Sequence, residues 1–340
     1  MKLTRRRILL LLGLPLLGVL PFSRTAEQSA PEPVLTHIIL GGDVMLSRHV
    51  ARVSRERKDP AFPLRELAPV LQAADIAFVN LESPFSDRGA IVEHGMIFKA
   101  EPEMIGALEL AGIDIVSTAN NHARDQGSHG VEFTLDWLQR HEIAVAGTGM
   151  SAEAAHAGVV IERNGIRFGF LAYTYDQSNG NHTDVDERVA VMDVLRMRED
   201  VVRLASRADT IIVSMHAGAE YSPKANPQQA AFARAAIDAG ASVVVGHHPH
   251  VTQPWERYGH GVIFYSLGNL VFDQFQRIET QRGALADLVF EGPRLARASL
   301  LPVEIVGTAP RLARTTSRAT QASTEPATPA VPPSGGSGAR

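Results

Sequence analysis

Six short segments of the chain each end an apolar run with side chains able to ligate a metal: Gly42-Asp43-Val44-Met45, Asn80-Leu81-Glu82, Asn120-Asn121-His122, His216-Ala217-Gly218-Ala219-Glu220, His247-His248-Pro249-His250 and Gly268-Asn269. In open α/β sheets ligands bind beyond the carboxyl ends of the strands, so residues far apart in sequence can meet there. Asp43, Glu82, Asn121, His122, His216, His248 and His250 all follow such runs. Carboxylates, an amide and imidazoles together suit one or two divalent ions such as Mn²⁺, Zn²⁺ or Fe²⁺. Ions of this kind polarise a phosphoryl oxygen and activate water near neutral pH. The chain has no cysteine, which excludes disulfides, thiolate zinc sites and a cysteine nucleophile.

The elements that must carry these residues are legible as short β-branched runs alternating with longer amphipathic stretches, the pattern of an α/β layered sheet. Runs at 37–40, 76–79, 113–117, 210–215, 242–245 and 262–265 lead into the polar segments, and 286–290 is expected to close the sheet. Stretches 131–140 and 228–239 read as helices. Arg163-Asn164-Gly165-Ile166 sits between two apolar runs, and Asn-Gly in that setting signals a hairpin, so antiparallel strands should join here. The Asn-, Asp-, Ser- and His-rich stretch 176–186 reads as a loop over one face.

Length and composition fit one large domain with a substantial core. Of 340 residues, 45% are hydrophobic and 21% charged, close to the average for folded proteins. Arg5-Arg6-Arg7 followed by apolar residues 8–22 reads as a signal peptide or an N-terminal membrane anchor, and residues 4–9 resemble a twin-arginine export pattern. Fifteen residues are short for a hydrocarbon core of about 30 Å, which favours the signal. We therefore expect an exported, periplasmic or cell-envelope protein, with residues 1–30 as the leader, 36–305 as the folded domain and 311–340 as a disordered Ser/Thr/Pro/Gly-rich tail. Net charge is −4 and becomes more negative without the basic leader, which argues against nucleic-acid binding.

Together the motifs Gly42-Asp43-Val44-Met45, Asn80-Leu81-Glu82-Ser83-Pro84, Ala119-Asn120-Asn121-His122, His216 to Tyr221, Gly246-His247-His248-Pro249-His250-Val251 and Ser266-Leu267-Gly268-Asn269 are similar to those of the CapA family of capsule and poly-γ-glutamate biosynthesis proteins. Asn121-His122 and His248-Pro249-His250 also resemble elements of the calcineurin-like metallophosphoesterases. The resemblance runs in order over about residues 36–305. It implies a four-layer α/β/β/α metallophosphoesterase-like sandwich with mixed sheets.

By the same resemblance Asp43 and His250 serve a first metal, Glu82 bridges, and Asn121, His216 and His248 hold a second. His122 is then a non-ligand acid, and His247 is surplus. Asn269 is carried over as a brace for a ligand or a substrate contact; Lys99, Glu220 and Tyr221 lie near the motif loops as candidate substrate contacts. The chain departs from the classical Asp-x-His first motif at Met45, and a thioether does not replace an imidazole for a hard ion. The first site therefore loses a ligand, and one tight and one weak or substrate-supplied metal are expected.

The resemblance implies a metal-dependent hydrolase or transferase acting on a phosphoryl or amide-linked group of an anionic cell-surface polymer or its precursor, with a membrane synthesis or export complex as a candidate partner. Rival readings are a non-catalytic metal-dependent polymer-binding or export component, and a general metallophosphatase.

Overall fold

Two mixed sheets face one another, and the apolar runs read as strands fall in one or the other. The structure, a computed structural model, describes residues 34–176 and 185–314. The expected leader, residues 177–184 of the expected loop at 176–186, and the tail from 315 lie outside the described residues.

The strands in chain order are β1 (Leu35–Val44), β2 (Ile76–Leu81), β3 (Ile115–Ser117), β4 (Ala144–Ala146), β5 (Val159–Arg163), β6 (Ile166–Thr174), β7 (Thr210–His216), β8 (Val243–His247), β9 (Trp255–Tyr258), β10 (Gly261–Phe264), β11 (Asn269–Val271), β12 (Arg282–Glu291), β13 (Arg294–Val306) and β14 (Ala309–Leu312). The first sheet runs β14-β13-β12-β1-β2-β3-β4, with β11 also paired to β1; the second runs β5-β6-β7-β8-β10-β9. Parallel strands run from the middle to one edge of the first sheet, β1 to β4, and form the centre of the second, β6, β7, β8 and β10. Antiparallel strands complete both sheets.

Alternation along each strand sorts the side chains into layers. Ile38, Leu40, Ile76 and Phe78 from the first sheet meet Phe168, Phe170, Val243, Val245 and Phe264 from the second in one buried cluster. The rings of Phe78 and Phe170 stack at 6.1 Å across this space. Ile39, Ala77, Val79 and Val116 turn to the other face and pack against residues of the helices Arg48–Arg57, Ile105–Ala111 and Gly127–Arg140. Leu171, Val213, Val244 and Ile263 do the same under the helices Val194–Leu204 and Pro227–Ala239. The result is the expected order of helix, sheet, sheet and helix.

Local chemistry explains the element ends. Asn226 and Gln229 form a reciprocal capping box before Pro227, and Gly240 ends that helix at φ 119°, as orphan helix termini require. The hairpin at Asn164-Gly165 has φ 54° and 77°, the paired left-handed residues of a tight turn that follows strand twist.

Two boundaries differ from expectation. Residues 286–290 do not close the first sheet, because β13 and β14 follow; and the domain runs past 305 into residues 311 and 312, which were assigned to the tail. The cause is position: β14 is the outermost strand of its sheet and β13 lies next to it. Much of β13 is half-exposed or exposed and lacks clean alternation; Pro310 lies on the edge strand, and Pro302 stands just outside the ladder that pairs β13 with β14, where a missing N–H is tolerated. The second sheet's edge strand β9 escaped for the same reason.

One buried acid lies away from the strand ends. Asp200 accepts from the Tyr173 hydroxyl at 2.9 Å, pairs with His156 Nδ1 at 2.7 Å and binds Arg203. Burial raises its carboxyl, but the His156 and Tyr173 contacts outweigh that and hold it below the ordinary carboxylate value. A carboxyl depressed on folding contributes stability in full above its unfolded pKa, and that contribution is lost as pH falls through the folded value. Asp200→Asn should cost about 1–2 kcal/mol at neutral pH. In urea unfolding the gap from wild type should close progressively below about pH 4; a pH-independent gap would contradict this account.

Candidate metal centre

Asp43 reaches the centre through an irregularity in β1. The register with β2 runs Leu40↔Phe78 and then Asp43↔Asn80, so one extra residue lies on β1 between the pairs. Strict alternation from Ile39 would turn Asp43 toward the helices; a bulge flips the face. Gly42 permits it, since a Cβ there would lie 1.9 Å from the Gly268 carbonyl oxygen. Asp43 is thereby side by side with Asn80, whose Nδ2 donates to Asp43 Oδ1 at 2.8 Å.

Glu82 follows β2, its backbone N–H held by the Val44 carbonyl at 2.8 Å. Asn121 and His122 lie in the turn after β3, His216 ends β7, and His248 and His250 follow β8. His248 and His250 have φ of 94° and 59°, a left-handed backbone that costs ordinary residues about 1–3 kcal/mol. The sharp turn brings the ring centroids of His248 and His250 to 6.0 Å and those of His248 and His216 to 4.9 Å. Gly246 is required beneath it, because a Cβ would stand 2.0 Å from the Tyr265 carbonyl oxygen.

Donor atoms of Asp43, Glu82 and His250, all buried, lie within 4.8 Å of one another. Asn269 sets the His250 tautomer: its Nδ2 donates to the Thr280 carbonyl at 2.9 Å, which leaves Oδ1 to accept from His250 Nδ1 at 3.0 Å. The lone pair is then on Nε2, 3.7 Å from Glu82 Oε1. Both Glu82 oxygens and His248 Nδ1 are buried without hydrogen-bond partners. Buried polar atoms are rarely left so. Orphaned oxygen and imidazole donors at the strand ends fit a divalent cation, with Asn121 and His216, joined at 2.8 Å, beside them.

Electrostatics agree. Burial raises Asp43, yet the neighbouring imidazoles of His247 and His250 hold it well below the usual carboxylate range. Burial, then the charges of Asp43 and Glu220, push Glu82 well above that range. Burial and the charge of His250 bring His248 down to about 4, and burial, then the charge of His248, hold His216 well below its ordinary value. Neutral imidazoles are the form that ligates metals.

His122 is different in kind. Its Nδ1 lies 2.7 Å from Asp125 Oδ2, and that oxygen also accepts from the Phe98 N–H. The ring stacks on Phe98 at 3.9 Å, and Nε2 stands 3.8 Å from Glu82 Oε1. The ring is therefore fixed at one nitrogen and turned toward the carboxylate group at the other. Asp125 was missed in the sequence, although His-x-x-Asp on a turn could have flagged it; Asn80 and Asn120, hydrogen-bonded to each other, were passed over in favour of their neighbours.

The remaining candidates separate. Exposed Glu220 and Tyr221 sit at the rim: the Tyr221 N–H donates to the Pro249 carbonyl at 2.8 Å, and its ring is 6.3 Å from that of His250. Burial, then the Glu220 charge, push the Tyr221 hydroxyl up to about 12. Lys99 Nζ donates to the Gly89 carbonyl at 3.0 Å and the Arg88 carbonyl at 3.4 Å, a contact that holds a loop. Met45 is fully buried in the helix-side core, its sulfur accepting from the Ser47 N–H. Because that side chain leaves the first subsite short of an imidazole, elemental analysis after desalting should find about one tightly held divalent ion per chain. Two retained ions would count against it.

A family profile described as "Bacterial capsule synthesis protein PGA_cap" matches residues 37–274. The "Capsule biosynthesis protein CapA" of Bacillus anthracis is 32% identical over 279 residues, covering 77% of this chain and 67% of that protein. The "PGA biosynthesis protein CapA" of Bacillus subtilis is 30% identical over 269 residues, covering 78% and 70%. Among solved structures, the Haemophilus influenzae NAD nucleotidase superposes with a TM-score of 0.50 at 10% identity, over 81% of this chain and 57% of that one. The architecture is thus that of the metallophosphoesterase-like fold, and the chain belongs to the CapA family of bacterial capsule synthesis proteins.

Proposed function

We propose that this protein is exported and acts as a metal-dependent hydrolase or transferase on a phosphoryl or amide-linked group of an anionic cell-surface polymer, or its precursor, in capsule or poly-γ-glutamate synthesis. The observation that carries the reading is His122, an imidazole fixed by Asp125 at Nδ1 and turned toward Glu82 at Nε2. A residue held in this way is arranged for proton transfer.

Asp43, Glu82 and His250 would hold one ion, and Glu82 with Asn121, His216 and His248 a second. When bound, the ion supplies Lewis acidity that lowers the cost of charge at the attacked centre. The chain's own residues do the rest. Asn80 and the His248 N–H hold the two oxygens of Asp43 at 2.8 and 3.2 Å. Asn269 keeps His250 in the tautomer with a free Nε2. His122 delivers a proton from Nε2 to the leaving oxygen or nitrogen, while Asp125 steadies the charged ring. Glu220 and Tyr221 contact substrate from the rim; Lys99 acts through the loop it braces. A membrane synthesis or export complex is the partner this role implies.

The test is turnover of a panel of phosphoesters and γ-glutamyl peptides by Mn²⁺- or Zn²⁺-loaded protein, with a chelated control. Chelator-sensitive cleavage of a γ-glutamyl or polymer-type substrate is the expected result. Metal-dependent polymer binding without turnover would replace the enzyme by a binding or export component, and indiscriminate phosphomonoester cleavage would favour a general phosphatase.

A further inference from the structure

His247 has no place in those roles, yet it is fully buried at the end of β8. Alternation along Val243, Val245 and His247 turns all three side chains into the space between the sheets, where the two valines join the shared core. The His247 ring lies 6.0 Å from that of Phe78 on β2. Neither ring nitrogen has an aligned hydrogen-bond partner, although Nδ1 stands 3.4 Å from Asp43 Oδ1. A buried imidazole with idle nitrogens is costly in such surroundings, which an apolar ring would fill at less expense. It is also absent from the group of converging donor atoms formed by Asp43, Glu82 and His250.

The contacts around Asp43 show what the imidazole can do. Asn80, from the adjacent strand of the same sheet, reaches Oδ1, whereas the His248 N–H reaches Oδ2 from the opposite sheet. His247 is the side chain that spans the gap between the sheets to Oδ1. Asp43 rides on one sheet and His248 and His250 follow a strand of the other, so a tie between Asp43 and the end of β8 sets the distance between ligands of different sheets.

We propose that His247 is a positioning residue for Asp43: its Nδ1–H donates to Oδ1 across the gap and fixes the carboxylate in the orientation that meets a divalent cation. This rests on reading the cluster as a cation site. Replacing a residue that orients a metal ligand typically costs about 10–100-fold in metal affinity.

The experiment is isothermal titration of the full chain with Mn²⁺ or Zn²⁺ alone, comparing wild type, His247→Phe and His247→Asn. Phenylalanine keeps the ring and suits the apolar walls but has no donor; asparagine restores a donor near the Nδ1 position. His247→Phe should weaken binding about 10–100-fold with the number of bound ions unchanged, and its metal-free unfolding midpoint should be no lower than that of wild type. His247→Asn should recover most of the affinity. His247→Leu gives the same donor-free comparison if the phenyl ring does not fit. Wild-type affinity in the donor-free variant overturns the proposal, as does loss of an ion from the stoichiometry, which would make His247 a ligand, or an asparagine variant no better than phenylalanine. A wild-type chain that binds neither ion overturns the cation reading itself and the proposal with it.

Discussion

A His122→Ala chain is expected to lose about 10³-fold in kcat while retaining its fold and its metal. The separation follows from the contacts. His122 lies outside the group formed by Asp43, Glu82 and His250, so its removal takes no donor from that set. Asp125 still accepts the Phe98 N–H, which keeps the loop at Phe98 in place after the imidazole is gone. What disappears is the imidazole anchored at Nδ1 by Asp125 and directed by Nε2 toward Glu82. Steady-state turnover of the preferred substrate, elemental analysis and near-ultraviolet circular dichroism on the same preparation would check this. Unchanged turnover at full metal content would remove His122 from catalysis; unchanged polymer production in cells carrying the variant would favour the binding reading.

The second large effect is on stability. Glu82 is completely buried with neither oxygen hydrogen-bonded, and burial together with the Asp43 charge raises its carboxyl well above the ordinary range. Such a group opposes folding when ionised and unpaired, and a cation that binds only the native state reverses the balance. At an ion concentration 100-fold above Kd the gain is about 2.7 kcal/mol. Urea unfolding of wild type with and without a chelator should show a difference of that order. Glu82→Gln should abolish the difference, and its chelated form should be at least as stable as chelated wild type, because the amide removes the buried charge. A variant destabilised equally with and without chelator would mean that Glu82 serves packing and not a cation.

How far the chain could be read without coordinates depended on whether the signal was local. The hairpin at Asn164-Gly165 and the helix Pro227–Ala239 with its flanking cap residues are written in neighbouring residues, and each appears in the structure. The central strands announce themselves as apolar runs because both faces are covered. By contrast β9, β13 and β14 lie at or near sheet edges, where solvent faces one side and alternation blurs. The division into two sheets was available only through the family resemblance, since nothing local in β5 or β6 says which strands they join.

The candidate site divides along the same line. The types of donor, the absence of sulfur, and the placing of Asp43, Glu82, Asn121, His122, His216, His248 and His250 at strand ends are properties of the sequence, because residue chemistry and strand termination are local. Their convergence is not. Asp43 faces the space between the sheets because β1 slips one residue against β2, His250 presents Nε2 because Asn269 arrives from β11, and His122, though paired locally with Asp125, is held flat by the ring of Phe98 from a distant loop. Each depends on the register between segments far apart in the chain, and register is set by the packing of whole sheets, which no short stretch of residues encodes.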